Sequence, residues 1–261
     1  MKMWQVSTLR NLGSMTNNSP EIHVAGDQPD SDDGAVSIPL LEEAIAYREV
    51  EQKPSWRGWI HLGTWPVALA SGIVLMALAR GTEATISSAV FVLSSLTLFG
   101  ISATYHRFNW SERTRAILRR LDHANIFFLI AGTYTPVALL ALPQDQAWLL
   151  LGLVWAGALL GIAMRVLWLD APRWLYVPLY LLLGWAAVMY LPQLLAANVA
   201  MMVLVIVGGG LYTLGAVVYA LKWPNPAPAS FGFHEVFHSL TVAAFLCHWT
   251  AVLLIALNPV S

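Results

Sequence analysis

Two histidines, His234 and His238, are spaced so that both imidazoles could bind one metal ion, because residues four apart share a helix face. A third histidine, His106, closes a separate apolar stretch of the chain, and Ser102 stands one helical turn before it. Catalytic zinc sites commonly use three protein ligands and leave the fourth position to water. The pattern therefore predicts a zinc ion held by His106, His234 and His238.

Asp122 is the residue best placed to act as a base beside such a metal site. It opens another apolar stretch at the membrane depth of His106 and His238, and its carboxylate could take a proton from water activated by the metal. Ser102 could bind that water or a substrate oxygen. His123 follows Asp122 directly and points about 100° away around the helix, so we expect only one of the two to face the site.

Residues 234–238 (HEVFH) also match the metalloprotease pattern H-E-x-x-H, in which Glu235 would be the general base. That pattern needs a further ligand downstream, where the chain offers only His248. We therefore rank this interpretation below the three-histidine site. His248 lies off the helix face of His238, and we expect it to hydrogen-bond inside the bundle or to line a cavity.

His61 lies near the start of the first apolar stretch, in the same part of the chain as several tryptophans. Trp56, Trp59 and Trp65 surround it in the sequence, and tryptophan is enriched where helices leave the hydrocarbon. We interpret His61 as a side chain of the membrane interface rather than of the metal site.

The elements that position these residues are predicted to be membrane-spanning helices. Of 261 residues, 57% are hydrophobic and 11% are charged, against roughly 25% charged in soluble domains. A spanning helix needs about 20 largely uncharged residues. Uncharged windows cover 58–79, 84–105, 124–144, 146–164, 174–221 and 236–261. The window 174–221 is long enough for two spans, with a break near Pro192, Gln193 and Asn198. The sequence predicts an all-α polytopic membrane protein with seven transmembrane helices.

Charge sets the expected orientation. With seven spans and a cytoplasmic N-terminus, every Lys and Arg except Arg80 falls on the cytoplasmic side. This positive-inside distribution predicts a cytoplasmic N-terminus, an outside C-terminus and a metal site near the cytoplasmic face of the cell membrane. The formal net charge of −1 gives no support for nucleic-acid binding. A membrane lipid is the expected partner, and no oligomeric state is predicted.

Three segments are expected. Residues 1–40 are rich in small polar residues and read as a disordered cytoplasmic tail. Residues 41–58 form a juxtamembrane segment, which could be an amphipathic surface helix or a solvated helix leading into the membrane. Residues 59–258 form the seven-helix domain.

Several motifs together resemble the hemolysin III family, over about residues 55–257. They are residues 102–106 (SATYH), 121–126 (LDHANI), 131–136 (AGTYTP), 209–216 (GGLYTLGA) and 233–238 (FHEVFH). The family is similar to the progestin and adiponectin receptors and, more distantly, to alkaline ceramidases. The resemblance implies seven helices, a cytoplasmic N-terminus and a zinc site. It assigns the ligand role to His106, His234 and His238, and a water-holding role to Asp122 with Ser102 beside it.

The chain departs from the family at the start of the first span. Many members have an E-x-x-N element there, whereas this sequence has Pro54 and Arg57 at the two positions.

The functional expectation is a metal-dependent hydrolase of lipid amide or ester bonds in the bacterial inner membrane. Two alternatives stay open: a non-enzymatic receptor or regulator with structural zinc, and a pore-forming cytolysin.

Overall fold

The computed structural model describes residues 54–168 and 171–260. These residues form helices with short connections and contain no β-strand. Seven helical segments are long and apolar enough to cross a membrane. The prediction of an all-α protein with seven transmembrane helices is therefore confirmed. The predicted tail (1–40) and all but the end of the juxtamembrane segment (41–58) lie outside the described residues.

The helices follow one another with short connections. They are α1 (Trp59–Leu78), α2 (Thr82–Arg107), α3 (Glu112–Ala141), α4 (Gln144–Leu167), α5 (Arg173–Gly184), a 3₁₀ turn (Ala186–Tyr190), α6 (Leu191–Ala197), α7 (Val199–Leu221) and α8 (Phe233–Leu257). The segments α5, 3₁₀ turn and α6 together make the fifth span, Trp174–Ala197.

The fifth span is not one continuous α-helix, because a 3₁₀ turn separates α5 from α6. Pro192 stands in the first turn of α6 and has no backbone N–H to donate to the preceding turn. Tyr134 of α3 repairs the break: its hydroxyl donates to the Gly184 carbonyl (2.9 Å) and accepts from the Ala187 N–H (2.7 Å). A buried backbone group without water needs such a partner.

The boundary between the fifth and sixth spans lies at Asn198, at one end of the predicted break. The Asn198 side chain caps α7 by accepting from the Met201 N–H at 2.9 Å, a typical N-cap contact. Pro192 and Gln193 lie inside the fifth span rather than between spans.

Helix α3 occupies the centre of the bundle. It is the most buried of the seven spans and packs against α2, α4, α5, α6 and α8. At its start, the Ser111 side chain accepts from the Thr114 N–H. Asp122 therefore stands on the helix that most other elements contact.

Because successive spans alternate in direction, α1, α3, α5 and α8 begin at the same membrane end, where α2, α4 and α7 finish. We call this end the histidine face, because His61, His106 and His234 all lie within the helical turns nearest to it. The connection between α1 and α2, which contains Arg80, lies at the opposite membrane end.

The charge distribution predicts that the histidine face is cytoplasmic. Alkaline phosphatase, which is active only outside the cytoplasm, should be active when fused to the C-terminus, and green fluorescent protein should fluoresce when fused to the N-terminus. Phosphatase activity from a fusion placed in the α2–α3 connection would contradict this orientation.

Candidate metal centre

His106 closes α2 at the histidine face. Its side chain is 8% exposed, and Ser102, one turn earlier on the same face of α2, is 2% exposed. Both side chains point into the bundle, where α2 packs against α3 and α8.

His234 and His238 lie in the first two turns of α8, whose start is firmly held. The Gly232 N–H donates to the Glu235 side chain at 2.9 Å, and the Phe233 N–H donates to the Asn225 side chain at 3.0 Å. These contacts satisfy backbone N–H groups that a helix start leaves without partners. They fix the first turn of α8 and with it the position of His234.

The three histidines converge on one point. The Nε2 atoms of His106 and His234 are 3.3 Å apart, and one ligand nitrogen from each of His106, His234 and His238 lies within 4.8 Å of the others. Tetrahedral nitrogen ligands about 2.0 Å from an ion are roughly 3.3 Å from one another. The cluster therefore fits a single metal ion after small side-chain adjustments.

Asp122 stands beside this cluster. Its Oδ2 atom is 3.7 Å from His106 Nε2, and the buried Ser102 lies one turn before His106 on the adjacent helix. The Asp122 side chain is 17% exposed, so the carboxylate reaches the cluster without being sealed off. The structure thus brings together Ser102, His106 and Asp122 from two neighbouring helices.

His123 faces away from the cluster, toward α5. Its Nδ1 atom lies 2.7 Å from the Arg119 carbonyl oxygen, and its own carbonyl accepts from the Tyr180 hydroxyl at 3.0 Å. Its ring packs edge-on against Tyr176. As expected for consecutive helical residues, only Asp122 of the pair faces the three histidines.

His61 is at the cluster, and its interpretation as an interface side chain is wrong. The side chain is 2% exposed and its ring stacks on His238, with ring centroids 3.8 Å apart and planes 3° apart. It also packs edge-on against Phe99. Neither ring nitrogen has a hydrogen-bond partner among the described residues.

A helical repeat on α1 explains the position of His61. The buried residues of this helix recur every three or four positions and form one face: His61, Thr64, Ala68, Gly72 and Leu75. Trp59 and Trp65 point outward. The three- and four-residue spacing is present in the sequence. It does not single out the inward face, because α1 carries apolar side chains on every face.

Both carboxylate oxygens of Glu235 make contacts that support the fold. Its Oε1 atom accepts from Arg57 Nε at 2.6 Å, and its Oε2 atom accepts from the Gly232 N–H. The side chain is 2% exposed. With both oxygens engaged, the geometry favours a clamp between α1 and α8 over the general base of an H-E-x-x-H site. Arg57, at one of the two positions where the chain departs from the family pattern, supplies the partner.

His248 lies away from the cluster, deeper in α8. Its Nε2 atom donates to the Val205 carbonyl at 3.2 Å, and its ring packs edge-on against Tyr212. It also lines a cavity of about 40 Å³ beside Tyr134 and Trp185. Both roles expected for His248, an internal hydrogen bond and a cavity lining, are present.

Comparison with known proteins identifies the family. A family model described as Haemolysin-III related matches residues 50–249. The chain belongs to the hemolysin III family. Over 168 residues it is 32% identical to a hemolysin-3 homolog of Bacillus subtilis (strain 168), covering 62% of this chain and 75% of that protein. Over 149 residues it is 28% identical to hemolysin-3 of Bacillus cereus, covering 56% and 68%. The match to the hemolysin III model spans every residue of the cluster.

We expect the purified protein to bind about one transition-metal ion per chain, and the variant with Ala at His106, His234 and His238 to retain less than a tenth of it. Mass spectrometry of metal content checks this. His248→Asn is the matched control, since it removes an imidazole from α8 outside the cluster. A well-folded wild type that binds no metal after zinc is supplied would contradict the prediction.

Breaking the Arg57–Glu235 pair should destabilise the protein. Glu235→Gln removes the charge but keeps an acceptor for the Gly232 N–H, and we expect a loss of about 2 kcal/mol because Glu235 is buried and Arg57 is partly exposed. Thermal unfolding in detergent measures this. Glu112→Gln, at an exposed position, should change little, and an equally stable Glu235→Gln protein would show that the pair contributes nothing.

Proposed function

We propose that this hemolysin III protein is a zinc-dependent hydrolase that cleaves amide or ester bonds of membrane lipids. The observation that carries the proposal is the position of Asp122, whose carboxylate lies 3.7 Å from one member of the three-histidine cluster. A metal site that serves only to join helices needs ligands, but it does not need an additional carboxylate beside them.

The donor set supports zinc as the metal. Imidazole nitrogens suit zinc, copper, iron and nickel, and three nitrogens with one open position are the ligand set of zinc hydrolases. When bound, zinc would polarise a carbonyl group and make water a strong nucleophile at neutral pH.

The residues of the chain would supply the proton transfers. Asp122 would accept a proton from the attacking water and return it to the leaving amine or alcohol as the C–N or C–O bond breaks. Ser102 would donate its hydroxyl to the carboxylate and so hold Asp122 in one orientation.

The location of the cluster supports a lipid as substrate. The histidines lie at the membrane end of apolar helices, where the carbonyl groups of lipids lie. Acyl chains could extend along the helices while the reacting carbonyl meets the metal. We propose that the membrane is the bacterial plasma membrane and that the cluster faces the cytoplasm.

A non-enzymatic receptor or regulator with structural zinc is the second candidate. Structural zinc sites are almost always closed by four protein ligands. Among the described residues the group that could hold a metal has three members, His106, His234 and His238. This count favours catalysis, and a fourth ligand found by spectroscopy of the metal-loaded protein would favour the structural alternative.

Asp122→Asn should lower the rate of lipid hydrolysis about 100-fold or more while leaving metal content unchanged, because general bases typically contribute factors of that size. The assay is release of fatty acid from lipid amides and esters presented in mixed micelles. His248→Asn, outside the cluster, should keep the wild-type rate.

Undiminished hydrolysis by Asp122→Asn would show that the proposed mechanism is wrong. The cytolysin alternative has its own readout. Dye release from liposomes by purified protein, with no hydrolysis of any lipid tested, would favour a pore over a hydrolase.

A further inference from the structure

Arg165 is a buried cation in the last turn of α4, at the histidine face. Arg165 is 2% exposed. The Nε and Nη1 atoms of its guanidinium are buried and have no hydrogen-bond partner among the described residues. These two nitrogens carry three N–H bonds, so much of the hydrogen-bonding capacity of the group is unused.

The packing of α4 on α3 puts Arg165 in this position. At Gly161, one turn earlier on the same face, an added Cβ would lie 2.4 Å from the ring of Phe127, so the two helices approach closely there. Because α3 and α4 run in opposite directions, the next turn toward the histidine face brings Arg165 beside His123. The ring of Tyr176 contacts both side chains.

The surroundings of Arg165 offer an aromatic face and no described carboxylate. The guanidinium carbon lies 4.3 Å from the centre of the Tyr176 ring, over its face. A cation–π contact of this kind stabilises the flat face of a guanidinium but leaves its N–H edges without acceptors. The Asp122 carboxylate, on the adjacent helix, is directed to His106 instead.

A buried charge without a counter-ion is costly, and proteins normally pair such a group or bind a ligand to it. Arginine is the side chain best suited to an oxyanion with several acceptor oxygens, because its N–H groups are fixed in a planar array. At a membrane surface the commonest such group is phosphate.

We propose that Arg165, supported by Tyr176, anchors a phosphate-binding site between α3, α4 and α5. The site lies on a different face of α3 from the metal centre, because Asp122 faces the histidine cluster while the following residue, His123, shares the Tyr176 ring with Arg165. Its role as a substrate subsite rests on the proposed hydrolase function, whereas phosphate binding itself does not.

The test uses the full-length protein in detergent and two probes, inorganic phosphate and dioctanoyl phosphatidic acid, with dioctanoylglycerol as the uncharged control. Thermal unfolding is followed as each probe is added. We expect the midpoint temperature to rise with a phosphate probe and not with dioctanoylglycerol. Arg165→Gln should weaken this response at least tenfold in probe concentration, and Arg113→Gln, which removes an exposed arginine near the same face, should leave it unchanged.

The two probes distinguish the source of the phosphate. A response to phosphatidic acid alone supports a lipid headgroup, and a response to inorganic phosphate supports a site open to the free anion. Arg165→Lys keeps the charge and should keep the fold while losing most of the affinity. If Arg165→Gln responds like the wild type, or if neither probe produces a response, the proposal is wrong.

Asp170 lies outside the described residues and provides a further check. If Arg165→Gln and Asp170→Asn lower the midpoint temperature equally and neither probe binds the wild type, Arg165 serves an internal ion pair and the proposal is overturned. Metal content separates this proposal from the hydrolase. Arg165→Gln should keep its metal, and the triple-histidine variant should keep its phosphate response.

Discussion

The lack of water inside the bilayer is the constraint on which the rest of this structure depends. Each backbone polar group within the hydrocarbon must find its partner inside the protein, and an unpaired polar side chain there is costly. The buried hydroxyls of Ser94, Ser95 and Thr133 therefore donate to carbonyls one turn earlier in their own helices. The Tyr134 hydroxyl spans the break in the fifth span for the same reason.

The same constraint keeps most ionisable residues near the ends of the helices. Charged and imidazole groups are least costly near the helix ends, and in this bundle most of them lie at the histidine face. There they form two connected arrangements: the three histidines with Asp122, and the Arg57–Glu235 clamp beside them. The clamp joins the starts of α1 and α8, the two helices that carry the stacked pair His61 and His238. The first turns of α8 therefore carry both Glu235, which holds α1 and α8 together, and the candidate ligands His234 and His238.

Helix α3 links the metal centre to the rest of the molecule. It carries Asp122 toward the histidines and His123 toward α5 through two consecutive residues. A short distance along the same helix, Phe127 packs against Gly161 and draws α4 close. The most buried helix of the bundle thus contacts both the metal centre and the helix that carries Arg165.

The sequence alone determined the features that depend on local periodicity or on the membrane. Uncharged windows predicted the seven spans, four-residue spacing placed His234 and His238 on one face, and the rotation between neighbours separated Asp122 from His123. Tertiary structure decided which side chains meet across helices. On an apolar helix the sequence does not state which face turns inward, so His61 was assigned to the interface although it stacks on His238. The pairing of Arg57 with Glu235 and the burial of Arg165 join residues far apart in the chain, and only the packing of the helices brings them together.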